Sequence, residues 1–375
     1  MSFDLAPKLA KILTEYSIPI KEGDRVAIIG NVNTAGPLIE ALVSATLRRG
    51  GSPSVQGAAM ISPDYTDYFE LFLREASDAQ LDAFDSNLLH FIDTSDVLYF
   101  IKAPGNTKAL ASVDPARIAR FRRTNKPFSD RYLERYDAGE LMWNVTAWPT
   151  AALAQNAEMG LHAYTEFVAK ACGLDQPDPV AYWSGFRERQ TALVEWLAGK
   201  KHAEVTGPGI ELSFDFQDRP WVSCHGELNF PDGEIFTSPV EDSVNGYVNF
   251  NMRSVYLSSE VDGVKLRFED GVAVDASASK GEAFLLSQLD VDEGARTLGE
   301  FAIGTNWGVQ DVTGNILFDE KIGGSIHMAL GKSYAESNGT NQSAIHWDMV
   351  NSMKDGGRIV IDGELFYDSG KFLVE

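Results

Sequence analysis

The spacing of hydrophobic and polar positions changes its period along this chain. Near the amino end, Leu9, Ile12, Leu13 and Tyr16 recur at helical spacing and predict an amphipathic helix. A buried strand follows at Asp24–Gly30 (DRVAIIG), then a loop over Asn31–Ala35 and a helix over Pro37–Arg49 that closes at Gly50-Gly51. Ser54-Val-Gln opens another strand, and Val97–Ile101 (VLYFI) is a continuous apolar one. Strands alternating with helices predict a largely parallel sheet. Helical sequence dominates from Pro115 to Leu197, broken at Trp148-Pro149-Thr150 and at the Pro177/Pro179 turn.

Near Lys200 the period shortens to two. Alternating segments occur at Ile210–Phe216, Tyr247–Asn251 and Val264–Phe268, separated by turns such as Pro231-Asp232-Gly233 and Asp262-Gly263, with one helix near Gly281–Leu289. The expected architecture is an α/β N-terminal domain over residues 1–200 with a helical second half, followed by a β-rich α+β C-terminal domain over 201–375. A length of 375 residues suits two domains.

Composition narrows the function classes. The net charge of -22 repels phosphate backbones and argues against nucleic-acid binding. No run of 18 apolar residues predicts a membrane span, and the amino end lacks the features of a signal peptide, so a cytoplasmic address is expected. Two cysteines, Cys172 and Cys224, are too few for a disulfide framework or a thiolate zinc site and read as small buried residues. The Gly30 loop lacks both glycine-rich phosphate-binding patterns. The basic run Arg117, Arg120, Arg122, Arg123 and Lys126 has the spacing of a solvated helix face.

Candidate chemistry concentrates in the C-terminal half. His346 and Asp348 are two apart in an extended segment, so their side chains share one face and can meet one divalent cation. His327 sits in a short apolar strand bracketed by Gly323-Gly324 and Gly331, and Tyr334 follows that turn. Glu234 follows a Pro-Asp-Gly turn, and Glu300 lies beside an apolar run, where a carboxylate needs a cation or strong hydrogen bonds. His90, His162, His202 and His225 have no partner motif and read as surface or hydrogen-bonded residues.

The order Glu234, Glu300, Glu320, His327, Tyr334, His346-x-Asp348, with the words NFPDGEIFTSP, LGEFAIGTN, LFDEKIGGSIHMALGKSY and NQSAIHWDM, resembles the aminopeptidase T/aminopeptidase S family, peptidase family M29. The resemblance implies a metal-dependent aminopeptidase acting on peptides, two divalent ions (zinc, cobalt or manganese), and a homodimer. It implies that Glu234, Glu300, Glu320, His327, His346 and Asp348 are metal ligands and that Tyr334 is the active-site tyrosine. Glu300, central in the order, is the expected bridging ligand and a catalytic residue. Two other readings stand beside this one. A mononuclear Fe(II) ring-cleaving dioxygenase would use His327, His346 and Asp348 as a facial triad. A non-catalytic peptide-binding module would use the metals for stability alone.

Overall fold

The computed structural model describes residues 4–57, 59–257 and 259–374. The chain divides into two compact units, Met1–Trp183 with Gly226–Pro231, and Ser184–His225 with Asp232–Glu375.

In the first unit the amphipathic helix forms over Leu5–Ile12 and continues through Leu13–Ser17, burying Leu9, Ile12, Leu13 and Tyr16. Strand Arg25–Gly30 lies inside a parallel sheet ordered Ser52–Gln56, Arg25–Gly30, Val97–Lys102, Met142–Ala147, Asn229–Phe230, with Val97–Lys102 at its centre. Val97 to Ile101 are all buried, as a parallel strand covered on both faces requires. Two local expectations are corrected. Asn31–Ala35 is not a loop: the helix spans Val32–Arg48, because the Asn31 side chain accepts the Asn33 backbone N–H and caps it six residues before Pro37. Met142–Ala147, inside the stretch expected to be helical, is a strand that pairs with Val97–Lys102 residue for residue. Tertiary pairing outweighs local preference there. The basic helix face carries ion pairs, with Arg120 held by Asp78 and Asp82.

The second unit stacks two antiparallel sheets. One is ordered Val272–Ser277, Lys265–Glu269, Asn245–Asn249, Ile210–Asp215, His202–Gly207, Arg358–Ile361, Glu364–Asp368, Lys371–Phe372. The other is ordered His346–Ser352, Ser325–Gly331, Leu298–Gly304, Glu234–Thr237, Val222–Cys224. Phe214, Trp221, Phe301, Met328 and Trp347 belong to one buried core cluster, and the rings of Phe214 and Phe301 lie 4.8 Å apart. The helix expected near Gly281–Leu289 is present over Glu282–Leu289. Among the described residues, no helix is long and apolar enough to cross a membrane.

Candidate metal centre

Strand alternation builds the site. In the second sheet Phe301, Ile303, Ile326, Met328, Leu330, Trp347 and Met349 all belong to the core cluster. The residues between them therefore point to the opposite face. The register aligns that opposite face across four strands: Glu234 is paired with Gly304, Ala302 with His327, Glu300 with Ala329, Ala329 with Asp348, and Gly331 with His346. Five of the sequence-predicted ligands thus share one face. The side chains between them are small. Ala302 stands opposite His327, and Ala329 stands opposite both Glu300 and Asp348. Gly304 answers a different need, since a Cβ there would lie 2.2 Å from the Ile322 carbonyl oxygen.

Glu320 follows the short helix Ile316–Asp319. Its approach is fixed by buried Asp319, whose carboxylate accepts the Thr313 and Gly314 N–H groups at 2.7 and 2.8 Å and the Thr313 hydroxyl at 2.8 Å. Tyr334 lies just beyond the Gly331 turn, 40% exposed, with its ring against Phe236 and His346.

The side chains converge. His327 Nε2 is 2.9 Å from Glu300 Oε1 and 3.2 Å from Glu234 Oε2. His346 Nε2 is 3.5 Å from Asp348 Oδ1 and 3.8 Å from Glu300 Oε2. The other ring nitrogen, Nδ1 of His346, donates to the Lys332 carbonyl at 2.7 Å, which leaves Nε2 as the atom available to a metal. Three overlapping groups each bring their ligand atoms within 4.8 Å of one another: Glu234/Glu300/His327, Glu300/His346/Asp348 and Glu320/His327/Asp348.

Electrostatics carry the mark of crowded carboxylates. Burial, reinforced by Glu320 and Glu300, pushes Glu234 up to about 8 against the pull of Lys321 and His327. Burial also raises Glu320. Burial opposes charge on His327, yet Glu234, Glu300 and Asp348 outweigh it and raise the imidazole to about 9. His346 rises to about 10 because Asp348 and Glu300 overcome its burial. Asp348, despite its own burial, falls to about 2 beside His346. Glu234 Oε2 and Asp348 Oδ1 are buried without a hydrogen bond. Each faces an imidazole, of His327 at 3.2 Å and of His346 at 3.5 Å, and clustered carboxylates with imidazoles are the donor set that zinc, manganese or cobalt accepts. The residues present fit divalent metal.

The chain matches the peptidase M29 family, described as thermophilic metalloprotease, over residues 4–372. This chain belongs to that family. Aminopeptidase 2 of Geobacillus stearothermophilus is 31% identical over 301 residues, covering 70% of this chain and 71% of that protein. Aminopeptidase T of Thermus aquaticus is 30% identical over 293 residues, covering 67% of this chain and 72% of that protein. The M29 chain is accordingly an enzyme, a hydrolase of the metallo-aminopeptidase class. Its fold is that of wild-type AmpT from Thermus thermophilus, with a TM-score of 0.86 at 22% identity over 99% of both chains. The 2,5-dihydroxypyridine dioxygenase of Pseudomonas putida KT2440 shares the fold more distantly, with a TM-score of 0.62 at 12% identity over 100% of this chain and 99% of that one.

Three residues packed against this cluster escaped the sequence reading. Lys321 is fully buried, with its ammonium 2.8 Å from Glu234 Oε1, against Glu320 Oε1, and 3.6 Å from Asp232 Oδ1. Burial disfavours its charge, but Glu234, Glu320 and Asp232 together hold its pKa well above the ordinary range. Asp232 itself is buried, and Asn306 Nδ2 donates to its carbonyl at 2.8 Å. Gln190, 2% exposed on helix Pro179–Leu197, donates to the Glu234 carbonyl at 3.1 Å and to Thr305 Oγ1 at 2.8 Å. A lysine inside the word DEKIGG was the available signal for the first, while Gln190 carried none. Of the four histidines set aside, His90 and His162 are exposed and His202 and His225 half-buried. Cys172 is buried, but Cys224 is only half-buried and lies beside Asp232 and Glu234.

Proposed function

We propose that this chain removes N-terminal residues from peptides by hydrolysis at a two-metal site. The observation that carries the reading is Glu300, which turns one carboxylate oxygen towards His327 and the other towards His346. A carboxylate so placed serves two cations at once. Glu234 and His327 would hold one ion with it and His346 and Asp348 the other, with Glu320 grouped beside His327 and Asp348. Four carboxylates and two neutral imidazoles offset the charge of two dications.

When bound, divalent ions in such a site lower the pKa of water to about 7 and polarise a carbonyl oxygen. The chain's own residues do the rest. A carboxylate of the cluster accepts the proton of the attacking water and returns it to the leaving amine. Tyr334 stays protonated, since burial and the charges of Glu300 and Asp348 push its ionisation well above the ordinary range. Its hydroxyl therefore donates a hydrogen bond to the oxyanion of the tetrahedral intermediate. Exopeptidase selectivity then follows if the free α-amino group of the substrate binds near a metal or a single acidic side chain at the edge of the cluster. The reading includes a cytoplasmic homodimer, which sedimentation of the metal-loaded protein tests.

The fold shared with a dioxygenase makes one iron the competing count, with His327, His346 and Asp348 as its ligands. That arrangement leaves the buried carboxylates Glu234 and Glu300 without a metal to serve. Elemental analysis alongside hydrolysis of leucyl and other aminoacyl reporters separates the two. Two divalent ions per chain with chelator-sensitive release of the N-terminal residue support the peptidase reading. One iron and no hydrolysis overturn it.

A further inference from the structure

At the Glu234 end of the ligand face lies a fourth group with the donors of a metal site, Cys224, Asp232 and Glu234, again within 4.8 Å of one another. A cation already stands there. The Lys321 ammonium is 2.8 Å from Glu234 Oε1 and 3.6 Å from Asp232 Oδ1, and its side chain is 0% exposed. The same ammonium contacts Glu320 Oε1. Lys321 thus takes one named oxygen from each of two carboxylates, while the Glu300 oxygens face His327 and His346.

We propose that Lys321 is a positioning residue that divides the carboxylate oxygens between itself and the metals. With Oε1 of Glu234 and Oε1 of Glu320 held by the ammonium, each glutamate presents only Oε2 and binds through a single oxygen. Glu300, outside the reach of the lysine, keeps both oxygens for bridging. Lys321 also fills the Cys224/Asp232/Glu234 group, so a third metal is excluded from it. The backbone keeps this arrangement in place: Asn306 donates its side-chain N–H to the Asp232 carbonyl at 2.8 Å, and its backbone N–H to the Lys321 carbonyl at 3.1 Å. The turn that carries Asp232 and the loop that carries Lys321 are therefore tied to one residue. Partners of this kind orient ligands, and losing one typically costs about 10–100-fold in metal affinity.

The inference rests on the two-metal reading, and the test keeps the two apart. Full-length wild type, Lys321→Met and Lys321→Arg are each loaded with cobalt(II). Stoichiometry, affinity by chelator competition, the visible spectrum and the thermal midpoint are then compared. Wild type is expected to take two cobalt ions. Lys321→Met is expected to weaken binding about 10–100-fold and to change the spectrum towards higher coordination number, as the freed oxygens turn to the metal. Lys321→Arg retains the charge but not the shape, so it is expected to fold and still alter the spectrum. A wild-type spectrum and affinity in whichever variant folds overturns the positioning role and leaves the two-metal reading intact. Fewer than two ions in wild type overturns the reading beneath it.

Discussion

The ring of Tyr334 lies 4.6 Å from that of His346, centroid to centroid, at an interplanar angle of 55°. The phenol is thus held beside a ligand imidazole without taking part in the fold's core, being 40% exposed. Tyr334→Phe keeps the ring contact and removes only the hydroxyl. Turnover is expected to fall by about 10²–10³, with KM and metal content unchanged. Steady-state kinetics on an aminoacyl reporter, with metal measured on the same sample, checks this, and a wild-type kcat would remove Tyr334 from the mechanism.

Glu300 is the residue on which the metal count turns. Glu300→Gln keeps the shape of a side chain that is 3% exposed but deletes the charge that the proposed bridge requires. The expected result is a fall from two ions per chain to one or none, with hydrolysis lost. Elemental analysis after gel filtration reads the number directly. Two ions retained in the glutamine variant would assign the bridge to another carboxylate.

Ala329 faces Glu300 on one side and Asp348 on the other. Valine suits a strand, so Ala329→Val is expected to fold, at an overpacking cost of about 1–3 kcal/mol. Its two added carbons project between ligands, and metal affinity is expected to fall at least about tenfold, roughly 1.4 kcal/mol. Chelator competition paired with a melting curve checks this. A drop in stability with unchanged affinity would mean that the space between the ligands is not where the metals lie.

Protons and metals compete for the same atoms. In the metal-free chain His327 titrates at about 9 and His346 at about 10, so both imidazoles are charged at neutral pH. Ligation requires them neutral. Metal binding at pH 7 is therefore expected to release about three protons per chain, one from each imidazole and one from Glu234, which burial holds at about 8, and apparent affinity is expected to climb with pH towards about 9–10. Calorimetry in buffers of different ionisation enthalpy counts the protons. Affinity independent of pH between 7 and 9 would exclude these histidines as ligands.

The parts of this molecule legible in the sequence were those written locally. His346-x-Asp348 announced a shared face because strand alternation has a period of two, and the model places both side chains there. VLYFI announced a strand buried on both faces. Met142–Ala147 was hidden, since its strand character comes from pairing with Val97–Lys102 rather than from its own pattern. Lys321 was hidden for an electrostatic reason. A lysine in sequence reads as solvent-facing, and only the gathering of Glu234, Glu320 and Asp232 from distant segments makes its burial tolerable. Gln190 lies 44 residues from the Glu234 carbonyl it supports, a relationship no local motif encodes.

The alignment of ligands across adjacent strands has a consequence for folding fidelity. His327 is opposite Ala302, and a slip of one residue between their strands would turn the imidazole into the core and Met328 towards Glu300. The error could not be absorbed as a small distortion, because every side chain on the strand would change sides together. If the proposed ligands bind metal, uptake is thus expected to act as a checkpoint on strand pairing. A chain whose central strands have zipped out of step cannot assemble the ligand set, and so never gains the stability that binding confers on the correctly paired form.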